Sequence, residues 1–126
     1  MRLILASVLV ALAGHPVAAY KNWDFYLFKP GCNPDDVDLG LYLYHTIGTR
    51  AQPCTRIDNQ DFNLTEVDSL SWKSPVAERA QFDLCMFEDG ECSMRVVDEV
   101  RNQWDICHKY IGWKGYKVVP IGAPCV

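Results

Sequence analysis

Four side chains of this chain could together cleave a phosphodiester: His45, Glu66, Arg79 and His108. A carboxylate placed to take a proton, a histidine placed to return one and an arginine beside the phosphate suit general acid–base attack on RNA. Tyr42 and Tyr44 flank the first histidine. Other chemistry finds less support. Ser69, Ser71, Ser74 and Ser93 are the serines available to a Ser-His-Asp arrangement, and none lies in Gly-x-Ser-x-Gly or another nucleophile context. There is no Cys-x-x-Cys, and His45 and His108 stand apart without paired ligands, so no zinc or other metal site and no cofactor are expected. Both histidines also have a purely structural reading, because each falls near the end of an expected helix, where positive charge is favourable.

The first nineteen residues bear on the compartment. Arg2 precedes an uncharged apolar run, Leu3 to Ala13; Gly14 and Pro16 break it, and Val17-Ala18-Ala19 offers small residues for cleavage. This is the order of parts in a secretory signal peptide, and the run is short of the ~20 residues that span a bilayer. Residues 1–19 are therefore expected to be removed, leaving residues 20–126 as one secreted domain. Loss of Arg2 leaves eleven basic against sixteen acidic residues, a net charge of −5. An acidic surface repels phosphate backbones, which argues against nucleic acid as a partner.

Six cysteines (32, 54, 85, 92, 107 and 125) lie in that domain. An even number in an exported chain of this size implies three disulfides, with fifteen possible pairings. In an oxidising compartment these cysteines are staples, not nucleophiles. Asn63-Leu64-Thr65 is the one N-glycosylation sequon and sits in a polar stretch that reads as surface loop.

The elements that must position these residues show an internal repeat, about 22–58 and 81–122. Trp23 to Phe28 (WDFYLF) and Phe82 to Phe87 (FDLCMF) share an aromatic-Asp-apolar-x-apolar-Phe pattern, each followed by a Gly turn and a Cys. Each run reads as a buried strand. After the first, Asn33-Pro34-Asp35-Asp36 is a helix start, Val37, Leu41 and Tyr44 share a helical face, and Gly48 can end it. After the second, Ser93 can cap, Val97, Val100, Trp104, Cys107 and Ile111 recur at helical intervals, and Gly112 stops the run. Further extended segments follow near Gln52 to Ile57 and Tyr116 to Ile121. The expected fold is α+β: a β-α-β-β-α-β ferredoxin-like sandwich with two helices on one face of an antiparallel sheet. The alternative is a mostly-β sandwich, because Leu39 to Ile47 also alternates as a strand would and Gly40 disfavours a helix. Equivalence within the repeat suggests pairing Cys32 with Cys54 and Cys92 with Cys125, which leaves Cys85 with Cys107.

Most aromatics read as core. Trp113, Lys114 and Tyr116, after the Gly112 stop, form the candidate binding patch, with packing against the sheet end as the competing role. Trp72 to Pro75 (WKSP) is the candidate for a rigid inhibitory loop.

The leader, the six cysteines, the FDLCMF strand with Gly90 and Cys92, and the Tyr-Lys-Val-Val-Pro…Pro-Cys ending resemble small secreted cysteine-rich proteins of filamentous fungi. Many of these are effectors delivered to a host, and one group, similar to the killer toxin of smut fungi, has a ferredoxin-like core. With that resemblance, export, disulfides, acidity and the lack of an active-site motif make the leading expectation a secreted, non-catalytic, monomeric effector-like protein that binds a host or competitor macromolecule. The competing readings are a hydrolase inhibitor, a wall-associated protein and the ribonuclease, although the local motifs of the fungal guanyl-specific ribonucleases are missing around all four of its candidate residues.

Overall fold

A computed structural model of the protein describes residues 22–29, 31, 42–74, 80–103 and 105–126; the leader at 1–19 and the helix start at 33–36 lie outside them. The described chain is a β-sandwich. Its eight strands are β1 (Trp23–Phe28), β2 (Tyr42–Gly48), β3 (Gln52–Arg56), β4 (Ser69–Lys73), β5 (Phe82–Phe87), β6 (Val96–Val100), β7 (Asp105–Lys109) and β8 (Gly115–Pro120). One antiparallel sheet has the order β2-β1-β4-β7 and the other β3-β8-β5-β6.

The two-helix ferredoxin-like expectation is therefore overturned, and the mostly-β alternative fits. Tyr42–Gly48, assigned above to the end of the first helix, is strand β2 against β1. The second expected helix is two strands, β6 and β7, in different sheets. Between them Asn102 takes a left-handed backbone (φ 54°), which no helix accommodates. Ser93 caps no helix either: its amide and hydroxyl both donate to Asp89, which closes the β5–β6 turn.

Matched strand for strand, the two halves of the described chain are equivalent. Exchanging β1, β2, β3 and β4 with β5, β6, β7 and β8 turns the order of the first sheet into that of the second. Each half keeps three strands in its own sheet and lends its third to the other. The register agrees in detail, since the irregularity between Leu27 and Phe28 on β1 recurs between Met86 and Phe87 on β5. Paired backbone bonds lock the halves: Ile57 N–H to the Lys114 carbonyl (2.9 Å) and Tyr110 N–H to that of Asp68 (3.0 Å). The connections of the halves differ in length, most of all the third. Twelve residues join β3 to β4, and five join β7 to β8.

Strand alternation fills the space between the sheets. Trp23, Phe25 and Leu27 of β1 and Leu70 and Trp72 of β4 face Leu84 and Met86 of β5 and Tyr116 and Val118 of β8 in one buried cluster. Phe25 is central, with Tyr116 edge-on at 5.0 Å and Trp113 at 6.1 Å across the sandwich.

The disulfides correct the expected pairing. Cys54 is bonded to Cys92 and Cys85 to Cys125. Cys32–Cys54, Cys85–Cys107 and Cys92–Cys125 are thus all excluded, because Tyr42–Gly48, Val96–Val100 and Asp105–Lys109, read as parts of helices, are strands that place the cysteines differently. Cys107 is also disulfide-bonded. Cys54–Cys92 ties β3 to the β5–β6 turn, and Cys85–Cys125 ties β5 to the C-terminal tail. Arg101 fastens that tail further: its guanidinium donates to buried Asp83 at 2.9 Å and to the Ala123 carbonyl at 2.6 Å.

Candidate functional site

His45 projects from the outer face of β2. Cross-strand pairing sets it against Tyr26 of β1, and the two rings stack with centroids 4.0 Å apart. Its Nε2 lies 2.6 Å from Asp24 Oδ1, and Tyr42 packs edge-on to both rings. The carboxylate therefore fixes one ring nitrogen, and the stacked tyrosine fixes the plane. His45 makes no hydrogen bond to a serine, threonine or cysteine among the described residues.

The ribonuclease set does not converge. His45 and His108 occupy the opposite edges of one sheet, with β1 and β4 between them; three strand spacings amount to about 14 Å. They also face opposite ways. His108 stands opposite buried Leu70, and its Nε2 meets Asp98 Oδ2 of β6 at 2.8 Å, linking the edges of the two sheets. Glu66 lies in the β3–β4 connection, 3.9 Å from Lys29 Nζ, and Arg79 is outside the described residues. Of the serines, Ser69, Ser71 and Ser74 are buried. Ser74 Oγ accepts the Gln81 and Phe82 amides, and Ser93 serves the Asp89 turn.

The candidate binding patch is interior. Trp113 and Tyr116 are 1% and 0% exposed, and only Lys114 of the three reaches solvent. Burial and the bond to Tyr44 (3.0 Å between oxygens) push the Tyr116 hydroxyl far above the usual phenol range. These residues pack, because β8 is an inner strand of its sheet. Trp72 to Pro75 forms no exposed loop over its described part: Trp72 and Lys73 belong to β4, Trp72 and Ser74 are buried, and Pro75 lies outside the described residues.

What the sequence does not reveal is a cleft at the edge of β2. Tyr42, Leu43, Tyr44 and His45 form one wall, and Gln60, Asp61 and Phe62 of the long β3–β4 connection form the other, around a volume of about 520 Å³. Large apolar side chains lie exposed on the same strand, Tyr42 at 44% and Ile47 at 49%. Apart from His45, β2 carries no ionisable group that is charged near neutral pH. The irregular register opposite Leu27 and Phe28 lets four successive β2 residues line the cleft. The alternation of 39–47 hinted at the strand, but no local signal announces the opposing loop.

No cluster of histidine, cysteine and acidic side chains that could hold a metal ion occurs among the described residues. No described helix is long and apolar enough to cross a membrane. No protein-family model, curated protein or solved structure matches this chain.

Proposed function

We propose that this chain is an exported, disulfide-stapled, effector-like protein that binds a macromolecule of a host or competitor without catalysing a reaction, and that the β2 edge is its contact surface. The observation that carries the reading is the grouping of exposed Tyr42 and Ile47 on one edge strand, beside a cleft walled by Phe62 and Asp61. Exposed aromatic and aliphatic side chains next to a concavity are what interface anchors need, and most other large apolar side chains of the sandwich are buried. An edge strand with no outer partner among the described residues invites pairing, and such edges are ordinarily blunted by charge or proline; β2 has neither lysine nor proline. The two disulfides fit an oxidising compartment.

The test compares wild type with Ile47→Lys and Tyr42→Ser for retention on surface fractions of challenged cells, with Met94→Lys on the β5–β6 turn as control. Losing an anchor costs about 2 kcal/mol, so retention should fall at least tenfold for the β2 variants and hold for the control. Equal retention of all four proteins would remove the β2 edge from the proposal.

A further inference from the structure

The β3–β4 connection exceeds its counterpart, β7–β8, by seven residues. The backbone bonds that lock the halves use only the ends of the two connections, Ile57 and Asp68 in one and Tyr110 and Lys114 in the other. The interior of the longer loop is thus additional to the repeat, and it carries the sequon. Phe62, Leu64 and Val67 turn inward and pack on the core, whereas Asn63 and Thr65 are exposed. Asn63 caps the short 3-10 turn Leu64–Glu66, its Oδ1 accepting the Thr65 amide at 3.0 Å. Its Nδ2 and the Thr65 hydroxyl have no partner among the described residues.

We infer that Asn63 is a site of N-linked glycosylation, with a lipid-diphosphate-linked oligosaccharide as the donor. In that transfer Nδ2 forms a bond to the anomeric carbon of the sugar. The bond from that carbon to the diphosphate oxygen breaks, the lipid diphosphate departs, and the displaced amide proton passes to a base of the transferring enzyme. The folded chain accommodates the product without rearrangement. The cap uses Oδ1, the sugar takes Nδ2, and the outward side chain leaves the glycan in solvent. It would stand next to Phe62, at the loop wall of the cleft. The inference rests on the export reading, since the donor is met only on that route.

The experiment secretes the full-length chain from a eukaryotic cell under its own leader and reads the intact mass of the protein in the medium. The expected result is a mass raised by whole hexose and N-acetylhexosamine increments, which an amidase that cleaves N-glycans removes. Thr65→Ala keeps both Asn63 and the amide that its cap uses, so it should be secreted folded and at the bare mass; Thr65→Ser should keep the increments. Wild type in the medium at the bare mass overturns the assignment while export stands. Increments that survive Thr65→Ala place the glycan elsewhere and also overturn it. A chain that stays in the cell with its leader attached overturns the export reading and this one with it.

Discussion

Trp23 and Trp72 stack with ring centroids 5.9 Å apart, and both are fully buried. Their indole nitrogens differ. Trp23 Nε1 donates to the Arg50 carbonyl at 2.8 Å, whereas Trp72 Nε1 finds no acceptor among the described residues. An unmet buried donor costs roughly 1–3 kcal/mol, and a met one contributes about 1 kcal/mol. Phenylalanine at either place removes a similar volume from the core. Trp23→Phe should therefore be the more damaging substitution, by at least about 1 kcal/mol, because Trp72→Phe also removes an unpaired donor. Urea unfolding followed by the remaining tryptophans would measure the difference, and an equal cost would mean that the Trp72 indole has an acceptor after all.

At the scale of elements, the repeat explains why part of the fold was legible and part was not. Trp23–Phe28 and Phe82–Phe87 read as strands because each is a short aromatic and apolar run closed by turn residues, and Gln52–Arg56 and Gly115–Pro120 read as extended from their matching places in the repeat. The helices were misread from spacing. Val97 and Val100 lie on β6, Cys107 on β7 and Ile111 beyond it, so the helical intervals run across separate elements of two sheets and mimic one period. The cap signal misled for a similar reason. Asp89, not Ser93, is the capping group: the Ser93 hydroxyl first and the Met94 amide second hold its carboxyl down at about 2. His45 and the tyrosines of the site were visible as residues. Their cleft was not, because it needs an edge strand and a distant loop.

The repeat also sets up a comparison. Asp24 and Asp83 hold the same place in β1 and β5, yet their side chains are 21% and 1% exposed. Asp83 accepts from Arg101, from the Asn102 amide and from the Gly122 amide, all at 2.9 Å. Arg101→Met would strip a buried carboxylate of its counter-charge, which costs several kcal/mol in full burial; with Arg101 partly exposed, about 2 kcal/mol is expected. Asp24→Asn weakens an exposed pair and should cost under about 1 kcal/mol. Thermal unfolding of the two variants should rank them in that order, and a larger loss from Asp24→Asn would show that the His45 pair supports the sheet.

For the whole molecule, the balance lies between one shared core and the disulfides. The core joins both sheets, so the domain should unfold in a single transition. Cys54–Cys92 and Cys85–Cys125 close chain segments of 38 and 40 residues, and loops of that length restrict the unfolded chain by about 4 kcal/mol each. Together they match the whole net stability of an ordinary small domain, about 5–15 kcal/mol. The reduced chain should then be largely unfolded at body temperature, and the oxidised chain folded. Near-ultraviolet circular dichroism, with six tyrosines and four tryptophans as reporters, would follow the loss on adding a thiol. Restoring the signal by reoxidation would show that the sequence still specifies the pairing. A reduced protein that keeps its aromatic signal would mean that the shared core suffices alone, and the dependence on an oxidising compartment, on which the export reading leans, would be gone.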